Sequence, residues 1–382
     1  MLSVSKMVSG QEELGDKLRY VGKVETARPV VVWNSTRACN LRCRHCYASA
    51  TPGPAPGEMT TEEARRFIQG LAKTEVPVLL FSGGEPLLRP DFFELVNYAR
   101  SLGLRPVIST NGTLIDRAVA RKLKELGVGY VGISLDGLKE FNDRMRGVPG
   151  AFEAALEGIR ACREVGQRVG LRFTITRDNY REIPKIFDLV EEEKIDRVCF
   201  YHLVSVGRGK NLQQEDLEPE AKRQVLDLII ERALYFHRKG IKKEILTVDN
   251  HADGVYLYLQ LQGEKPDWAE KVYVWLKANG GNRSGIGIGA VDWWGNVYPD
   301  QFTHNHKLGN VKEKSFGTIW FEDPPELLVM LRDRRRYLKG RCARCRWLDL
   351  CNGNFRARAE AVYGDFWAPD PGCYLTDTEI GL

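Results

Sequence analysis

The sequence predicts an α/β protein in which six strand–helix units form a partial barrel. Short runs rich in Val and Ile are bounded by Gly, Asn or Asp, as buried strands are, and they lie at residues 29–33, 76–81, 105–109, 130–135, 170–175 and 197–201. Helical patterns alternate with these runs, which predicts right-handed crossovers and a parallel sheet. Polar motifs follow several of the strands, at the end of a barrel where chemistry is gathered.

Local signals support individual elements. Thr60 and Glu63 form a capping-box pattern at the start of a helix predicted over 60–73. A Gly295-Asn296 pair after an apolar run has the composition of a two-residue turn, which predicts a β-hairpin there.

The chain divides into four predicted segments. We expect a short lead over 1–26, the partial barrel over 27–208, and a charged bridging region with helical patterns over 209–282. Residues 283–382 then form a C-terminal domain that contains most of the later cysteines.

Composition excludes several classes of protein. The balance of 56 Lys and Arg against 51 Asp and Glu gives a net charge of +5, which indicates no nucleic-acid partner. The N-terminal stretch has no apolar signal region, and no run approaches the roughly 18 apolar residues of a membrane span. These features predict a cytoplasmic protein without a membrane partner. Nine cysteines in such a compartment favour metal ligation over disulfides, although Cys162 and Cys199 are predicted to be packing thiols.

Three cysteines follow the first predicted strand in the run STRACNLRCRHCYA. Cys39, Cys43 and Cys46 provide three thiolates, whereas an iron–sulfur cluster normally has four, so one iron of a four-iron cluster is left open. Three buried thiols or part of a zinc site are the alternatives. The spacing, with His45 in the aromatic position before the last cysteine, resembles the radical S-adenosylmethionine (SAM) superfamily. That resemblance implies a (β/α)6 TIM-like partial barrel, SAM bound to the open iron, and reductive cleavage to a 5′-deoxyadenosyl radical.

The segment SGGEP after the second strand resembles the GGE motif of the same superfamily. Gly83 and Gly84 allow the backbone to approach a ligand closely, and Glu85 can accept hydrogen bonds from an ammonium group. The resemblance implies that this motif holds the amino group of SAM. A tight strand-to-helix turn is the alternative.

The segments STNG and SLDG follow the third and fourth strands and resemble two further superfamily segments. They imply that Ser109, Asn111, Ser134 and Asp136 bind the ribose and methionyl parts of SAM, whereas helix N-capping is the alternative for each. Arg146 is a candidate partner for the SAM carboxylate, and a surface arginine is the alternative.

A second cysteine group lies near the C-terminus. Cys342, Cys345, Cys351 and Cys373 can complete an iron–sulfur cluster or a tetrahedral zinc site, and spacing alone leaves both open. The stretch resembles a shortened SPASM/twitch domain. This implies one auxiliary four-iron cluster with four cysteine ligands, and therefore two clusters in the protein.

Taken over nearly its whole length, the chain resembles the radical SAM enzymes of alternative heme biosynthesis. The stretches that carry this resemblance include PVLLFSGGEPLLRPDFF, GNVYPDQFTHNHKLGNV and CRWLDLCNGNFRARAEAVYGDFWAPDPGCYLTDTEIG. The resemblance implies removal of two acetate side chains from 12,18-didecarboxysiroheme to give iron-coproporphyrin III. The alternative within the group is the heme d1 branch, which acts on propionate side chains of the same precursor; the lead segment is closer to the deacetylase branch.

An iron-tetrapyrrole substrate implies an axial ligand or a steric pocket. His202, His304 and His306 are the candidate ligands, and structural histidines are the alternative. The resemblance also implies an external electron donor such as ferredoxin or flavodoxin. A peptide-modifying SPASM maturase and a zinc-stabilised binding protein are the competing functional classes.

Overall fold

The structure is a computed structural model that describes residues 1–20 and 28–382. Its strands are β1 (Leu2–Ser3), β2 (Val30–Asn34), β3 (Leu79–Ser82), β4 (Pro106–Thr110), β5 (Val131–Ser134), β6 (Val169–Ile175), β7 (Arg197–His202), β8 (Glu244–Val248), β9 (Ile288–Val291), β10 (Asn296–Tyr298) and β11 (Gly309–Asn310).

The helices pack around this sheet. They are α1 (Val4–Ser9), α2 (Asp16–Arg19), α3 (Thr61–Lys73), α4 (Phe92–Ser101), α5 (Arg117–Glu125), α6 (Lys139–Arg146), α7 (Ala151–Glu164), α8 (Ile183–Glu192), α9 (Pro219–Arg238), α10 (Ala252–Glu264), α11 (Pro266–Asn279), α12 (Glu326–Arg332), α13 (Gly340–Arg344), α14 (Leu348–Cys351), α15 (Arg356–Tyr363) and α16 (Asp377–Ile380).

The sheet is continuous and open, with strand order β1-β8-β7-β6-β5-β4-β3-β2-β9-β10-β11. The six predicted strands are confirmed as β2 to β7 and pair in parallel in chain order. Two further parallel strands extend the barrel, since β8 pairs with β7 and β9 pairs with β2. The prediction for 209–282 recognised only helices. It missed β8, because this short strand follows a charged stretch and begins with a charged residue.

The predicted hairpin is confirmed, because β9 and β10 are antiparallel. The predicted two-residue turn is wrong, because Asn296 is the first residue of β10 and its carbonyl accepts from the Asp292 N–H. The first strand of the hairpin is also an edge strand of the barrel, so the C-terminal region joins the barrel through backbone hydrogen bonds. At the opposite edge, β1 pairs with β8 and α1 packs against α9. The chain therefore forms one hydrogen-bonded sheet from the lead segment to the C-terminal region.

The predicted capping box is confirmed. The Thr60 hydroxyl accepts from the Glu63 backbone N–H, and the Glu63 carboxylate accepts from the Thr60 backbone N–H. The helix that follows packs Phe67 edge-on against the buried Trp33 of β2. This contact anchors the strand that leads into the first cysteine group. Within residues 1–20 and 28–382, no helix is long and apolar enough to cross a membrane.

Candidate active site

A cavity of about 160 Å³ opens at the carboxyl ends of the parallel strands. Eleven of the residues that the sequence predicts for cluster, SAM or substrate binding line it: Cys39, Cys43, His45, Cys46, Gly83, Gly84, Ser109, Asn111, Ser134, Arg146 and His202. The structure therefore brings together most of the side chains predicted from five separate strand ends.

The loop after β2 contains the first three cysteines and is held in place by hydrogen bonds to its backbone. The Cys39 N–H donates to the Thr51 carbonyl at 2.7 Å. Arg208, which sequence reasoning missed, donates through Nε to the Cys43 carbonyl at 2.9 Å and through Nη1 to the Ala50 carbonyl at 2.6 Å. The basic side chain in the Gly-Arg-Gly run after β7 was its signal in the sequence.

The three thiols face one cavity and are largely withdrawn from water. Burial raises the pKa of Cys39 to about 12 and also raises the pKa of Cys43. Thiolates at these positions therefore need a positive partner, which the irons of a cluster supply. Three thiols that line one open cavity fit an iron–sulfur cluster with one open iron.

Gly83 and Gly84 allow the loop after β3 to lie directly against the cysteine loop. Gly83 has φ of +135°, and a Cβ there would lie 2.5 Å from the Thr36 carbonyl oxygen. A Cβ on Gly84 would lie 2.0 Å from the Ala38 carbonyl oxygen. Because the Gly84 N–H donates to the Thr36 carbonyl at 2.7 Å, the two loops form one backbone-to-backbone unit.

We expect Gly84→Ala to lose most of the iron associated with the first cysteine group. The new methyl group must displace the backbone that sets the position of Cys39, and buried backbone has no flexible side-chain end that yields. Iron content after anaerobic reconstitution measures the effect. Gly70→Ala is the matched control, because nothing lies within 4 Å of a Cβ at this helical glycine. Equal iron in both variants would contradict the expectation.

Glu85 is fully buried and is not among the residues that line the cavity. Its carboxylate accepts from the Thr110 hydroxyl at 2.8 Å and from the Asn111 N–H at 2.8 Å. Burial raises its pKa to about 7. Its observed contacts orient the loop after β4 and thereby place Asn111 on the cavity wall.

Asp136 is also buried and organises two cavity residues. Its Oδ2 lies 2.6 Å from Arg146 Nη2 and 3.1 Å from His45 Nε2. Arg146 is only 6% exposed, so the surface-arginine alternative is wrong. Its Nη1 also donates to Cys43 Sγ at 3.6 Å. Burial lowers the pKa of His45 to about 4, which leaves its imidazole neutral at pH 7.

The helix-capping alternative is wrong for the polar residues of both strand-end segments. Ser109 and Ser134 lie within β4 and β5. The N-caps of the helices that follow are Asp116 and Leu138. Asn111 instead donates from Nδ2 to Asn40 Oδ1 at 2.8 Å, which ties the loop after β4 to the cysteine loop.

The three predicted histidines have different positions. His202, at the end of β7, lines the cavity, and its Nε2 lies 3.0 Å from Asp253 Oδ2. His304 stacks on Tyr47 instead of lining the cavity, and His306 Nε2 lies 2.7 Å from Glu360 Oε1. The structure therefore does not bring His304 and His306 to the cavity, because packing of the FTHNH loop turns them towards other partners.

The four C-terminal cysteines converge around a second, small cavity of about 20 Å³. Burial raises the pKa of Cys373 to about 11 and raises those of Cys345 and Cys351. Four thiols around a common space fit either an iron–sulfur cluster or a tetrahedral zinc ion.

One buried carboxylate joins the two sites. Asp253 contacts His202 through Oδ2 and accepts from the Tyr374 hydroxyl through Oδ1 at 2.8 Å. Tyr374 directly follows Cys373 in the chain. The orientation of the cavity histidine is thus linked to the loop that carries the last cysteine.

A larger cavity of about 320 Å³ continues into the interior of the barrel. The two cavities share wall residues, which are Val32, Leu80, Arg172, Tyr201, Asp249 and Gln301. Cys199, predicted as a packing thiol, also lines the larger cavity, whereas Cys162 is fully buried in α7. The cavity at the cysteine site and the larger cavity are therefore adjacent and are bordered by the same six side chains.

Asp249 lines both cavities, and its burial predicts that the free energy of unfolding depends on pH. Burial raises its pKa to about 6 from 3.8, although the amino group of Met1, Arg358 and Arg172 oppose that rise; Asp300 adds to it. The folded protein thus keeps a proton that the unfolded chain has lost between about pH 4 and 6. The free energy of unfolding contributed by this group falls as pH rises through that window.

We expect Asp249→Asn to raise the free energy of unfolding by about 2–3 kcal/mol at pH 8 and by less at pH 5. Denaturant unfolding of the anaerobic protein at the two pH values measures this difference. Asp323→Asn is the comparison, because Lys314 lowers the pKa of that exposed carboxyl. A gain that is the same at both pH values would exclude titration of Asp249 as the cause.

A partial barrel with three cysteines at its mouth, a glycine-rich loop against them and a C-terminal four-cysteine site defines a radical SAM enzyme with an auxiliary iron–sulfur domain. Residues 33–190 match the Radical SAM superfamily, and residues 287–346 match the SPASM iron-sulfur cluster-binding domain. The chain belongs to the radical SAM superfamily, whose cofactors are SAM and iron–sulfur clusters.

Individual proteins are similar to this chain over most of its length. The Fe-coproporphyrin III synthase of Methanosarcina barkeri is 54% identical over 395 residues, covering 100% of this chain and 99% of that protein. The pre-heme d1 synthase of Dinoroseobacter shibae is 43% identical, covering 93% of this chain and 88% of that one. Streptococcus suis SuiB bound to S-adenosylmethionine shares the fold with a TM-score of 0.70 at 19% identity, covering 91% of this chain and 78% of that one.

Proposed function

We propose that this protein removes the two acetate side chains of 12,18-didecarboxysiroheme and forms iron-coproporphyrin III. The observation that carries the proposal is the 54% identity, over the entire chain, with the Fe-coproporphyrin III synthase of M. barkeri. The 43% identity with a pre-heme d1 synthase keeps the propionate branch as the second candidate. A role in alternative heme biosynthesis is common to both.

The ligand assignment follows from the two cysteine sites. Cys39, Cys43 and Cys46 hold the SAM-binding four-iron cluster, and the four C-terminal cysteines hold the auxiliary cluster. When bound and reduced by an external donor such as a ferredoxin or flavodoxin, the first cluster with SAM supplies a 5′-deoxyadenosyl radical. A reducing cytoplasm suits both thiolate sites.

Side chains around the mouth of the barrel bind and orient SAM in this proposal. Arg146, held by Asp136, presents its guanidinium beside Cys43 and pairs with the SAM carboxylate. Ser109, Asn111 and Ser134 offer hydroxyl and amide groups from the same wall. The backbone of Gly83 and Gly84 leaves room for the amino group, while Glu85 fixes the loop that carries Asn111.

His202 is the proposed ligand or steric contact for the substrate iron. It lines the mouth of the barrel beside the cysteine site, and the carboxylate of Asp253 fixes the orientation of its imidazole. A histidine ligand that contacts a carboxylate is oriented by that contact, and its basicity increases. His304 and His306 have no part in this proposal, because neither lines the cavity.

The test is anaerobic turnover of the reconstituted protein with SAM, a strong reductant and 12,18-didecarboxysiroheme, followed by mass spectrometry of the tetrapyrrole. Stepwise loss of two acetates together with 5′-deoxyadenosine is the expected result. Loss of mass derived from propionate would move the protein to the heme d1 branch. An unchanged tetrapyrrole alongside 5′-deoxyadenosine would overturn the substrate and retain the radical chemistry.

A further inference from the structure

The interior of the barrel contains more positive charge than its own carboxylates balance. Six arginines line the larger cavity: Arg19, Arg105, Arg168, Arg172, Arg197 and Arg283. Among residues 1–20 and 28–382, two acidic side chains, Asp249 and Asp300, line the same cavity. An interior of this kind attracts a ligand with several negative charges.

Three of the arginines are explained by the structure of the protein itself. Glu244, in β8, forms ion pairs with Arg19, with Arg168 at 2.6 Å and with Arg197 at 3.6 Å. Arg19 also pairs with Glu13 at 2.6 Å. The ion pairs with Glu244 and Glu13 therefore account for these three guanidinium groups without a ligand.

The other three have no such partner. In the described parts of the chain, 1–20 and 28–382, Arg105, Arg172 and Arg283 form no ion pair with any carboxylate within 4 Å. Burial lowers the pKa of Arg283. For Arg105, burial and then the guanidinium groups of Arg168 and Arg197 lower the pKa. Unpaired guanidinium groups in a protein interior are costly unless an anion compensates them.

Arg172 has the most informative position of the three. Its side chain lines both cavities, so it lies between the cysteine site and the interior of the barrel. Its guanidinium lies 4.8 Å from the centroid of the Tyr201 ring, a stacking contact that holds the planar group in place. The arginine is thus oriented, and no side chain or carbonyl of the described ranges 1–20 and 28–382 accepts a hydrogen bond from its guanidinium.

We propose that Arg105, Arg172 and Arg283 form the site inside the barrel that binds carboxylate side chains of the substrate. The ligand class is an iron tetrapyrrole with several propionate groups, so this inference rests on the proposed function. Guanidinium groups bind carboxylates through paired charge-assisted hydrogen bonds. With its propionates held in the interior and its iron near His202, the macrocycle faces the SAM site from the interior of the barrel.

The test measures equilibrium binding in the holoprotein and requires no turnover. Iron-coproporphyrin III, with four propionates, is titrated anaerobically into the protein without reductant, and visible absorption reports the bound fraction. Iron protoporphyrin IX, with two propionates, is the comparison ligand. The variants are Arg172→Gln, Arg283→Gln and the charge-retaining Arg172→Lys. Arg160→Gln is the control, since that exposed arginine pairs with Glu193 on the outer surface.

The expected result is binding of iron-coproporphyrin III weakened about tenfold to a hundredfold in each Gln variant, with a smaller loss in Arg172→Lys. The weakening should be smaller for iron protoporphyrin IX, which has fewer carboxylates to lose. Arg160→Gln should bind as the wild type does. Iron content and circular dichroism establish that each variant is folded, and Arg283→Gln decides the matter if Arg172→Gln is not.

Two other outcomes distinguish failure of the arginine site from failure of the proposed function. If the wild type binds iron-coproporphyrin III and the folded Gln variants bind it equally well, the arginine site is wrong and the proposed function stands. If the wild type binds neither iron tetrapyrrole, the proposed function fails and this inference fails with it.

Discussion

Replacement of Cys39, Cys43 and Cys46 together by Ala is expected to abolish formation of 5′-deoxyadenosine and to remove about half of the bound iron. The physical reason is that these thiols line the cavity at the mouth of the barrel, whereas the four C-terminal cysteines surround a separate one. Each site accounts for about four irons if both hold four-iron clusters. Anaerobic iron analysis and chromatography of the nucleoside product provide the two measurements.

Cys162→Ala is the matched control for this experiment. That thiol is fully buried in α7 and lines neither cysteine cavity. It should retain both the iron and the activity, with a modest loss of stability from the small void it leaves. Retention of full iron by the triple variant would contradict the assignment of the first site.

Asp370→Ala is expected to lower the free energy of unfolding by about 3–5 kcal/mol, because it leaves a buried arginine unpaired. Arg358 Nη1 lies 2.9 Å from Asp370 Oδ2, and both side chains are almost completely buried. The same guanidinium donates to the carbonyls of Leu203 and Asp249, at 3.1 and 2.7 Å. The ion pair therefore fastens the C-terminal region to the ends of two barrel strands.

A double-variant cycle measures the interaction free energy between Arg358 and Asp370. Arg358→Met combined with Asp370→Leu should cost less than the sum of the two single changes, since the double variant leaves no charge buried alone. Asp323→Ala, at the exposed pair with Lys314, is the control and should change stability little. Denaturant unfolding under anaerobic conditions measures the wild type, the two single variants, the double variant and the control. A loss at Asp370 as small as that at Asp323 would show that the buried charge is solvated.

Much of the barrel was predictable because its signals are local. Each of the six predicted strands is a short apolar run with Gly, Asn or Asp at its ends, and the capping box at Thr60 depends on residues only three apart. β8 lacked that contrast. The pairing of β9 with β2 joins residues more than 250 positions apart, and nothing in the composition of either strand specifies the other.

The site was predictable to the extent that it consists of motifs. The cysteines and glycines are close in sequence, so their type and spacing identify them. Arg172 has no motif and Arg208 has only the short Gly-Arg-Gly run, and their roles depend on which cavity or carbonyl they meet after folding. Glu85 belongs to a recognisable motif, yet the motif does not reveal its local contacts. Its carboxylate accepts from the Thr110 hydroxyl, and Glu85 is not among the residues that line the cavity.

The pairing of β9 with β2 has a consequence for recombining this enzyme with its relatives. The C-terminal region does not begin as an independent module, because its first strand is the neighbour of the strand that leads into the first cysteine loop. A chimera joined at residue 283 would give β2 a foreign edge strand, and any mismatch in register would be passed to the cysteines five residues further on. Crossover points that keep β9 with its own barrel should therefore yield active hybrids, whereas exchange of the entire C-terminal region should disturb SAM cleavage as well as the auxiliary cluster.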